Sequence, residues 1–407
     1  MLEDKNFWGI FVLENTDNVE QNFEQKLSNT FADHKLVKAH AGMRGLLAFY
    51  IMLFHALLYY VGWNLHGSAL MPIFFLLAGY SSAIVYGNRL HRLDVKHYYR
   101  NRFARIAPIY YVAMLIAIPL AVTGHGWVPP SDIGWVLATN AFAVQMWAGF
   151  RPLSFSGPAW TISTLIFFYL IFPWLLRWHQ SQTNWFLNRW ITILAVIQGV
   201  VFFVLWFAIG SVNFLWASWA SHAWPISRLP VFDMGLVAGL LLLRQGHPDG
   251  PSAVKVMGVS TDQKNRWARR VEWCAGSFAV LIIILSVLQI NGIDLGGDFW
   301  MQGIFPYMLL VIIVGLSITS QNTASYTQRL LSWPVFLFFG RISLSLYLVH
   351  EPVIQYIAWI ARPNQAWSSK MSMPLWWVAI VLPVSLILAT LLERMIETPA
   401  RNFIRGR

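Results

Sequence analysis

Charged residues and cysteine are scarce in this chain of 407 residues. Only 12% of the residues are Asp, Glu, Lys or Arg, whereas 57% are hydrophobic, and the mean hydropathy is +0.52. A soluble domain cannot bury so large an apolar fraction, so an ordinary globular fold is excluded. The single cysteine, Cys274, excludes an intramolecular disulfide and a cluster of thiolate metal ligands. The composition therefore predicts an integral membrane protein.

The sequence also lacks the motifs of several common cofactors. It contains no glycine-rich phosphate loop, no His-Glu-x-x-His zinc motif and no Gly-x-Gly-x-x-Gly dinucleotide fingerprint. We therefore expect no dependence on a metal ion. The net charge of +11 comes from basic residues in short segments between apolar runs, a pattern that does not favour nucleic-acid binding.

Apolar runs that are long enough to cross a bilayer recur along the chain. A spanning helix needs about 20 mostly apolar residues. The runs predict an all-α, multi-pass membrane protein with about ten transmembrane helices. They lie near residues 44–62, 67–87, 106–122, 158–177, 190–210, 229–244, 276–291, 301–319, 334–360 and 375–394. A weaker run near 133–148 is interpreted as a re-entrant or interfacial segment rather than an eleventh span.

Basic residues between the runs predict the orientation of the chain. Segments 88–105 and 244–272 each contain six Lys or Arg residues, whereas 211–227 and 292–300 contain none. Loops rich in Lys and Arg stay in the cytoplasm. Since the predicted number of spans is even, we expect both termini to be cytoplasmic. Which membrane holds the protein is not indicated.

The chain is expected to consist of two parts. Residues 1–40 contain both acidic and basic side chains and only one short apolar run, Phe7 to Leu13, so they are interpreted as a cytoplasmic N-terminal tail. Residues 41–407 form the transmembrane domain. No internal repeat typical of transporters is evident in it.

An arginine and a histidine share one face of the first apolar run. Arg44 and His55 are eleven residues apart, or three helical turns, so their side chains point in nearly the same direction. His55 lies about 16 Å deeper than Arg44, near the middle of the bilayer. An ionisable residue at that depth suggests a function, and a neutral imidazole suits a general base. The alternative is a histidine that fixes helix packing.

Further motifs follow Arg44 and His55 in order along the chain. They are Phe74-Phe75-x-x-Ala78-Gly79-Tyr80; Arg102-x-x-Arg105-Ile-x-Pro108-x-Tyr110; Pro158-Ala-Trp160 with Phe168-Tyr169; Arg228-Leu-Pro-Val-Phe232-x-x-Gly235; Gly340-Arg-Ile-Ser343 with Tyr347-x-x-His350-x-Pro352; and Glu397-x-Pro399-x-Arg401. The whole set resembles the acyltransferase-3 family of membrane acyltransferases. In that family the histidine of the first helix is regarded as catalytic.

The resemblance implies an enzyme that moves an acyl group from acyl-coenzyme A, with acetyl-coenzyme A expected, to a hydroxyl of a carbohydrate, lipid or small natural product. His55 and Arg44 are the expected catalytic residues. Arg102 and Arg105 lie three residues apart at the edge of a span and are expected to bind the phosphates of coenzyme A. The alternative is that these two arginines only anchor the helix at the cytoplasmic surface of the membrane, where Lys and Arg are common.

Six more residues are candidates for the substrate pocket. They are Trp160, Tyr169, Arg228, Asp233, His350 and Glu351. His350 follows Arg341 by nine residues, which predicts a depth comparable to that of His55 and a place in the same cavity. The alternative is a structural histidine that bonds a carbonyl freed by the kink at Pro352.

Two positions depart from the family pattern. Members of the family usually have glutamate where this chain has Leu165, and glutamate is common where it has Val231. Asp233 or Glu351 is a candidate substitute for the missing acids. These departures leave open a catalytically degenerate paralogue, and a transporter or flippase is the alternative from another functional class.

Overall fold

The computed structural model describes residues 35–87, 93–126, 133–147, 156–210, 214–245, 260–296, 302–303, 305–319, 325–368 and 371–406. These parts of the chain are largely helical and contain no β-strand. The α-helices are α1 (Lys35–Val61), α2 (Met71–Tyr86), α3 (Val95–Val122), α4 (Ile133–Ala141), α5 (Ala159–Gln180), α6 (Asn184–Phe203), α7 (Phe214–His222), α8 (Pro225–Gln245), α9 (Thr261–Ile290), α10 (Pro306–Ile318), α11 (Tyr326–Leu331), α12 (Pro334–Ala361), α13 (Trp376–Leu392) and α14 (Thr398–Arg405). Short π-helical turns extend α6 to Ile209 and join α13 to α14.

Nine helical stretches in the described part of the chain are long and apolar enough to cross a bilayer. They are Lys38–Val61, Gly67–Tyr86, Val95–Val122, Ala159–Gln180, Asn184–Ile209, Ala217–Arg244, Thr261–Ile290, Pro334–Ala361 and Trp376–Arg405. The prediction of an all-α, multi-pass membrane protein is thereby confirmed. The remaining predicted run, 301–319, corresponds to α10, a shorter apolar helix of 13 residues.

Several helices begin well before their apolar runs. The run expected near 106–122 is the second part of α3, which begins at Val95 because the Asp94 carboxylate accepts a hydrogen bond from the backbone N–H of His97 at 2.9 Å. Ser260 and Gln263 form a capping box that starts α9. Hydropathy detects only the apolar part of such a helix, and a polar cap sets its first residue.

The first and the weakest apolar runs contain α1 and α4. Helix α1 begins at Lys35, so Arg44 lies inside the helix rather than at its start. Residues 1–34, with the short run Phe7 to Leu13, lie outside the described residues. The weak run near 133–148 contains α4, whose nine residues are too few to span a bilayer, in agreement with its interpretation as a non-spanning segment.

Helices α1 and α12 lie side by side and run in the same direction. Their backbones are in close contact because glycine has no Cβ atom. A Cβ atom on Gly45 would collide with the backbone of Gly340, and one on Gly340 would collide with that of Ala41. Beside this contact, Phe49 stacks on Phe339 with 5.1 Å between ring centroids. Ten residues beyond the two glycines, the same helices bring His55 and His350 together.

Helices α2 and α8 form a second close pair in the core. A Cβ atom on Gly79 would collide with the carbonyl oxygen of Phe232, and one on Gly235 would collide with that of Leu76. The two glycines therefore belong to a tight, reciprocal crossing. This crossing holds the wall of the cavity described below, to which Phe74, Phe75, Leu77, Ala78 and Ser81 of α2 contribute.

Candidate active site

A pair of histidines joins α1 to α12. The Nδ1 atom of His55 lies 2.8 Å from the Nε2 atom of His350, and the two rings stack with 5.0 Å between centroids and 10° between planes. The Nδ1 atom of His350 lies 3.1 Å from the carbonyl oxygen of Leu346, one turn earlier in α12. His350 is fully buried, and His55 is partly exposed. Two histidines that the sequence places at similar depth are thus in direct contact.

Tyr59 and Glu351 lie beside this pair. The ring of Tyr59 lies nearly parallel to that of His55, with 5.5 Å between centroids and 8° between planes. The hydroxyl of Tyr59 donates to Oε1 of the fully buried Glu351 at 3.3 Å. A Cβ atom on Gly157 would collide with the Glu351 carboxylate, so the absence of a side chain there makes room for it.

Three arginines line one cavity of about 140 Å³. Arg44 comes from α1, and Arg102 and Arg105 come from α3. Tyr169 and Leu165 of α5 are part of the same wall. The other apolar lining residues are Met71, Phe74, Phe75, Leu77, Ala78, Ile106, Ile162, Leu344 and Tyr347. The cavity therefore combines a cationic region with a largely apolar one.

The guanidinium of Arg102 is held by neighbouring side chains. Its Nη2 donates to Oγ of Ser82 at 3.0 Å. Its Cζ atom lies 5.3 Å from the ring centroids of Tyr86 and Tyr98 and 4.8 Å from that of Tyr169. Contacts of this kind stabilise a cation in a partly dry site. Arg102 is thus fixed in place before any ligand binds.

Tyr347 connects the cavity with the histidine pair. It lines the cavity, and its ring centroid lies 5.9 Å from that of His350. Its hydroxyl also contacts the sulfur of Met71, another lining residue, at 3.6 Å. His55 is not part of the cavity wall itself. The arginines and the histidines therefore form two neighbouring groups rather than one cluster.

Trp160 and Arg228 meet at His222. The ring of Trp160 lies 4.8 Å from that of His222, and Nε of Arg228 donates to the His222 carbonyl at 2.9 Å. Arg228 is fully buried, bonds the side chain of Gln302, and lies over the ring of Phe202 at 4.7 Å. These contacts show Arg228 bound by protein groups of several segments, including the carbonyl at the end of α7.

Asp233 lies in a different cluster. Its two carboxylate oxygens bind Nε2 of His179 at 2.6 Å and Nε1 of Trp190 at 3.0 Å. Neither partner lines the cavity or contacts the histidine pair in the structure. Of the two acids expected as substitutes, Glu351 is the one that lies beside His55 and His350. Val231, at the other departure from the family pattern, is fully buried.

Sequence reasoning missed several neighbours of the site. Tyr59 follows His55 by four residues and shares its helix face, so the spacing alone would have identified it. Tyr98 likewise precedes Arg102 by four residues on α3, so the same spacing would have identified it. Ser82 and His222 come from other helices, and only the crossing of those helices brings them close. In the described parts of the chain, no three His, Cys, Asp or Glu side chains are arranged to hold a metal ion.

The acyltransferase domain family matches residues 41–394 of the chain. The chain is 23% identical over 394 residues to the peptidoglycan O-acetyltransferase OatA of Listeria monocytogenes, covering 91% of this chain and 58% of that protein. It is 24% identical over 359 residues to the acyltransferase MdmB of Streptomyces mycarofaciens, covering 84% of this chain and 82% of that protein.

The chain thus spans little more than half the length of the Listeria relative. No solved structure matches it. The family match extends from the first helix, with Arg44 and His55, to just beyond the end of α13. The chain therefore belongs to the acyltransferase-3 family of membrane acyltransferases.

Proposed function

We propose that the protein transfers an acyl group, in the first instance acetyl, from acyl-coenzyme A to a hydroxyl group, with His55 as the general base. The observation that carries this proposal is the cavity with three guanidinium groups, which Tyr347 joins to the His55–His350 pair. Membership of the acyltransferase-3 family supports the reaction class.

The cationic part of the cavity suits the charged end of the donor. Coenzyme A carries its phosphates at one end of a long arm and the thioester at the other. The cavity contains the guanidinium groups of Arg102, Arg105 and Arg44. A guanidinium group can bind a phosphate through two parallel hydrogen bonds. Along α1, eleven residues separate Arg44 from His55, or about 16 Å of helix. This separation fits a donor whose charge and reactive carbonyl lie far apart.

The apolar part of the cavity suits the uncharged arm of the donor. Met71, Phe75 and Leu344 offer no charge there, and Leu165 stands where relatives carry an acid. Exclusion of water near the thioester limits hydrolysis and strengthens electrostatic contacts. Tyr347 then lies where the arm passes from the cavity toward the histidines.

The histidine pair supplies the proton acceptor. In the proposed step, the hydroxyl oxygen of the acceptor bonds to the thioester carbonyl carbon while its proton moves to His55. The carbon–sulfur bond then breaks, and coenzyme A leaves as a thiolate that takes the proton back from His55. Arg44 orients the donor, since it shares the face of α1 that carries His55.

The transmembrane part from residue 41 onward is the proposed catalytic unit, with residues 1–40 as a cytoplasmic tail, both termini in the cytoplasm and the arginine cavity open to cytoplasmic acyl-coenzyme A. The acceptor is a hydroxyl of a carbohydrate, lipid or small natural product. The Listeria relative is named for O-acetylation of peptidoglycan, a carbohydrate polymer, which makes a carbohydrate hydroxyl the first acceptor to examine.

The test uses the full chain in lipid nanodiscs with acetyl-coenzyme A, and it follows the release of free thiol. His55→Ala should abolish release. His97→Ala is the matched control, because His97 lies at the start of α3 and bonds Arg100, outside both groups of the site. Release of thiol by the His55→Ala variant at the rate of the wild type would overturn the proposed role of His55. Movement of an acceptor molecule across the membrane of vesicles that contain the protein, without consumption of acetyl-coenzyme A, would instead indicate a transporter.

A further inference from the structure

The hydrogen bonds around His350 have one consistent direction when both imidazoles are neutral. A backbone carbonyl only accepts, so the contact with Leu346 requires an N–H at Nδ1 of His350. A neutral imidazole carries one N–H, which leaves a lone pair on Nε2 of His350. That lone pair accepts from Nδ1 of His55 at 2.8 Å. The proton of His55 is then on Nδ1, and the lone pair of His55 is on Nε2.

We propose that His350 is a positioning residue that holds His55 in the tautomer whose Nε2 is the base. This inference rests on the proposed function and adds the atom that removes the proton. The tautomer of a histidine is set by the hydrogen bond of its other nitrogen. Without an acceptor for the Nδ1 proton, His55 is free to carry its proton on Nε2 instead. In that tautomer Nε2 has no lone pair and cannot remove the proton of the acceptor hydroxyl.

The fold holds both partners of this hydrogen bond. His350 is fully buried, and Tyr347 lies against its ring. The contact between Gly45 and Gly340 sets the separation of α1 and α12 ten residues before the pair. The carboxylate of Glu351, next to His350 in the chain, accepts from Tyr59 at 3.3 Å and from Gln355 at 3.5 Å. The position that a carboxylate fills in many catalytic histidine dyads is thus taken by an imidazole.

Three substitutions of His350 separate positioning from packing. His350→Phe keeps a ring to stack on His55 but removes both nitrogens. His350→Asn retains a donor close to the Leu346 carbonyl, but its side chain is too short to reach His55. His350→Gln places an amide oxygen near the position of Nε2 and can accept from His55. We expect turnover in the order wild type, Gln, then Asn and Phe.

The kinetic readout is thiol release from acetyl-coenzyme A by the full chain in nanodiscs. In serine hydrolases, a change that leaves the catalytic histidine in the wrong tautomer lowers kcat by about 10⁴-fold. For His350→Phe we expect kcat to fall by about 10²- to 10⁴-fold with an unchanged KM for acetyl-coenzyme A, because the arginine cavity is intact. His350→Gln should recover at least about tenfold of that loss by restoring the acceptor.

A spectroscopic readout does not depend on turnover. In protein labelled with ¹⁵N-histidine, the ring nitrogen shifts distinguish N–H from lone-pair nitrogen, and His55→Ala identifies the signals of His55 by their loss. Wild-type His55 should show N–H at Nδ1 and a lone pair at Nε2. In His350→Phe the N–H should move toward Nε2.

Either of two results overturns the inference: wild-type kcat in folded His350→Phe, or an Nε2–H tautomer for His55 in the wild type. If His350→Phe does not fold, the wild-type spectrum still decides. Failure of the proposed function is a separate outcome, since it requires turnover by His55→Ala. Loss of turnover in His55→Ala together with full turnover in His350→Phe would reject the positioning role alone.

Discussion

The guanidinium of Arg102 lies over the ring of Tyr169, with 4.8 Å between Cζ and the ring centroid. Tyr86 and Tyr98 approach the same guanidinium, and Ser82 accepts one of its hydrogen bonds. A cation held in this way loses little further freedom when an anion binds, so more of the binding energy is retained. The arrangement makes Arg102 the most informative position for a test of donor binding.

Replacement of Arg102 by alanine should weaken binding of acetyl-coenzyme A. A hydrogen bond to a charged group contributes about 1.5–3 kcal/mol, so we expect KM to rise by about 10- to 100-fold with a smaller change in kcat. Steady-state kinetics in nanodiscs measure both. Arg269→Ala is the control, because Arg269 is an exposed arginine on α9 and lies outside the cavity. Equal KM values for the two variants would contradict a role of Arg102 in donor binding.

Asp233→Ala should lower stability and leave catalysis intact. The substitution removes the carboxylate that accepts hydrogen bonds from His179 and Trp190 in the core, and a buried donor left without its acceptor costs about 1–3 kcal/mol. Thermal unfolding in detergent measures the loss, and thiol release per folded molecule measures activity. Asp262→Ala, in the exposed first turn of α9, provides the comparison. A large fall in kcat of folded Asp233→Ala would place Asp233 in the reaction after all.

Tyr59→Phe should also destabilise the protein. The ring that stacks on His55 is kept, but the hydroxyl that donates to the buried Glu351 is lost, at a cost of about 1–3 kcal/mol. The midpoint of thermal unfolding in detergent should fall. Tyr307→Phe on α10 removes a hydroxyl from a half-exposed tyrosine and should leave the midpoint unchanged. Identical midpoints for the two variants would show that the Tyr59 hydroxyl contributes nothing to stability.

Gly79→Val should disrupt the crossing of α2 and α8. Even a single Cβ at this position collides with the carbonyl of Phe232, so the helices must separate. Overpacking typically costs about 1–3 kcal/mol, and more where backbone rather than a side chain must move. Size-exclusion profiles and thermal unfolding in detergent report the effect. Gly276→Val on α9 should be tolerated, because no heavy atom lies within 4 Å of a Cβ built there. Comparable losses in both variants would contradict the explanation.

The sequence predicted the membrane-spanning helices well, because length and apolar content decide whether a segment crosses a bilayer. The run expected at 334–360 is α12, Pro334–Ala361, almost residue for residue. It predicted helix ends poorly where polar first turns precede the apolar part, as in α3 and α9. Their caps are local side-chain contacts that hydropathy does not register.

The candidate site could likewise be predicted only in part from the sequence. Motif resemblance singled out Arg44, Arg102, Arg105 and Tyr169, and the structure brings them to one cavity. It also singled out His55 and His350, which are in contact. Asp233 was grouped with them only because it lies two residues from Val231, and its partners come from α5 and α6. Distance along the chain does not specify which face of a helix meets which neighbour.

The parallel course of α1 and α12 constrains the path of the whole chain by parity. Two parallel helices in a bilayer require an odd number of crossings between them. Six long helical stretches of the described chain lie between α1 and α12, and α10 is the seventh apolar helix. An odd number is reached when these six stretches and α10 all cross, so α10, with only 13 residues, is the helix whose crossing the parallel pair requires.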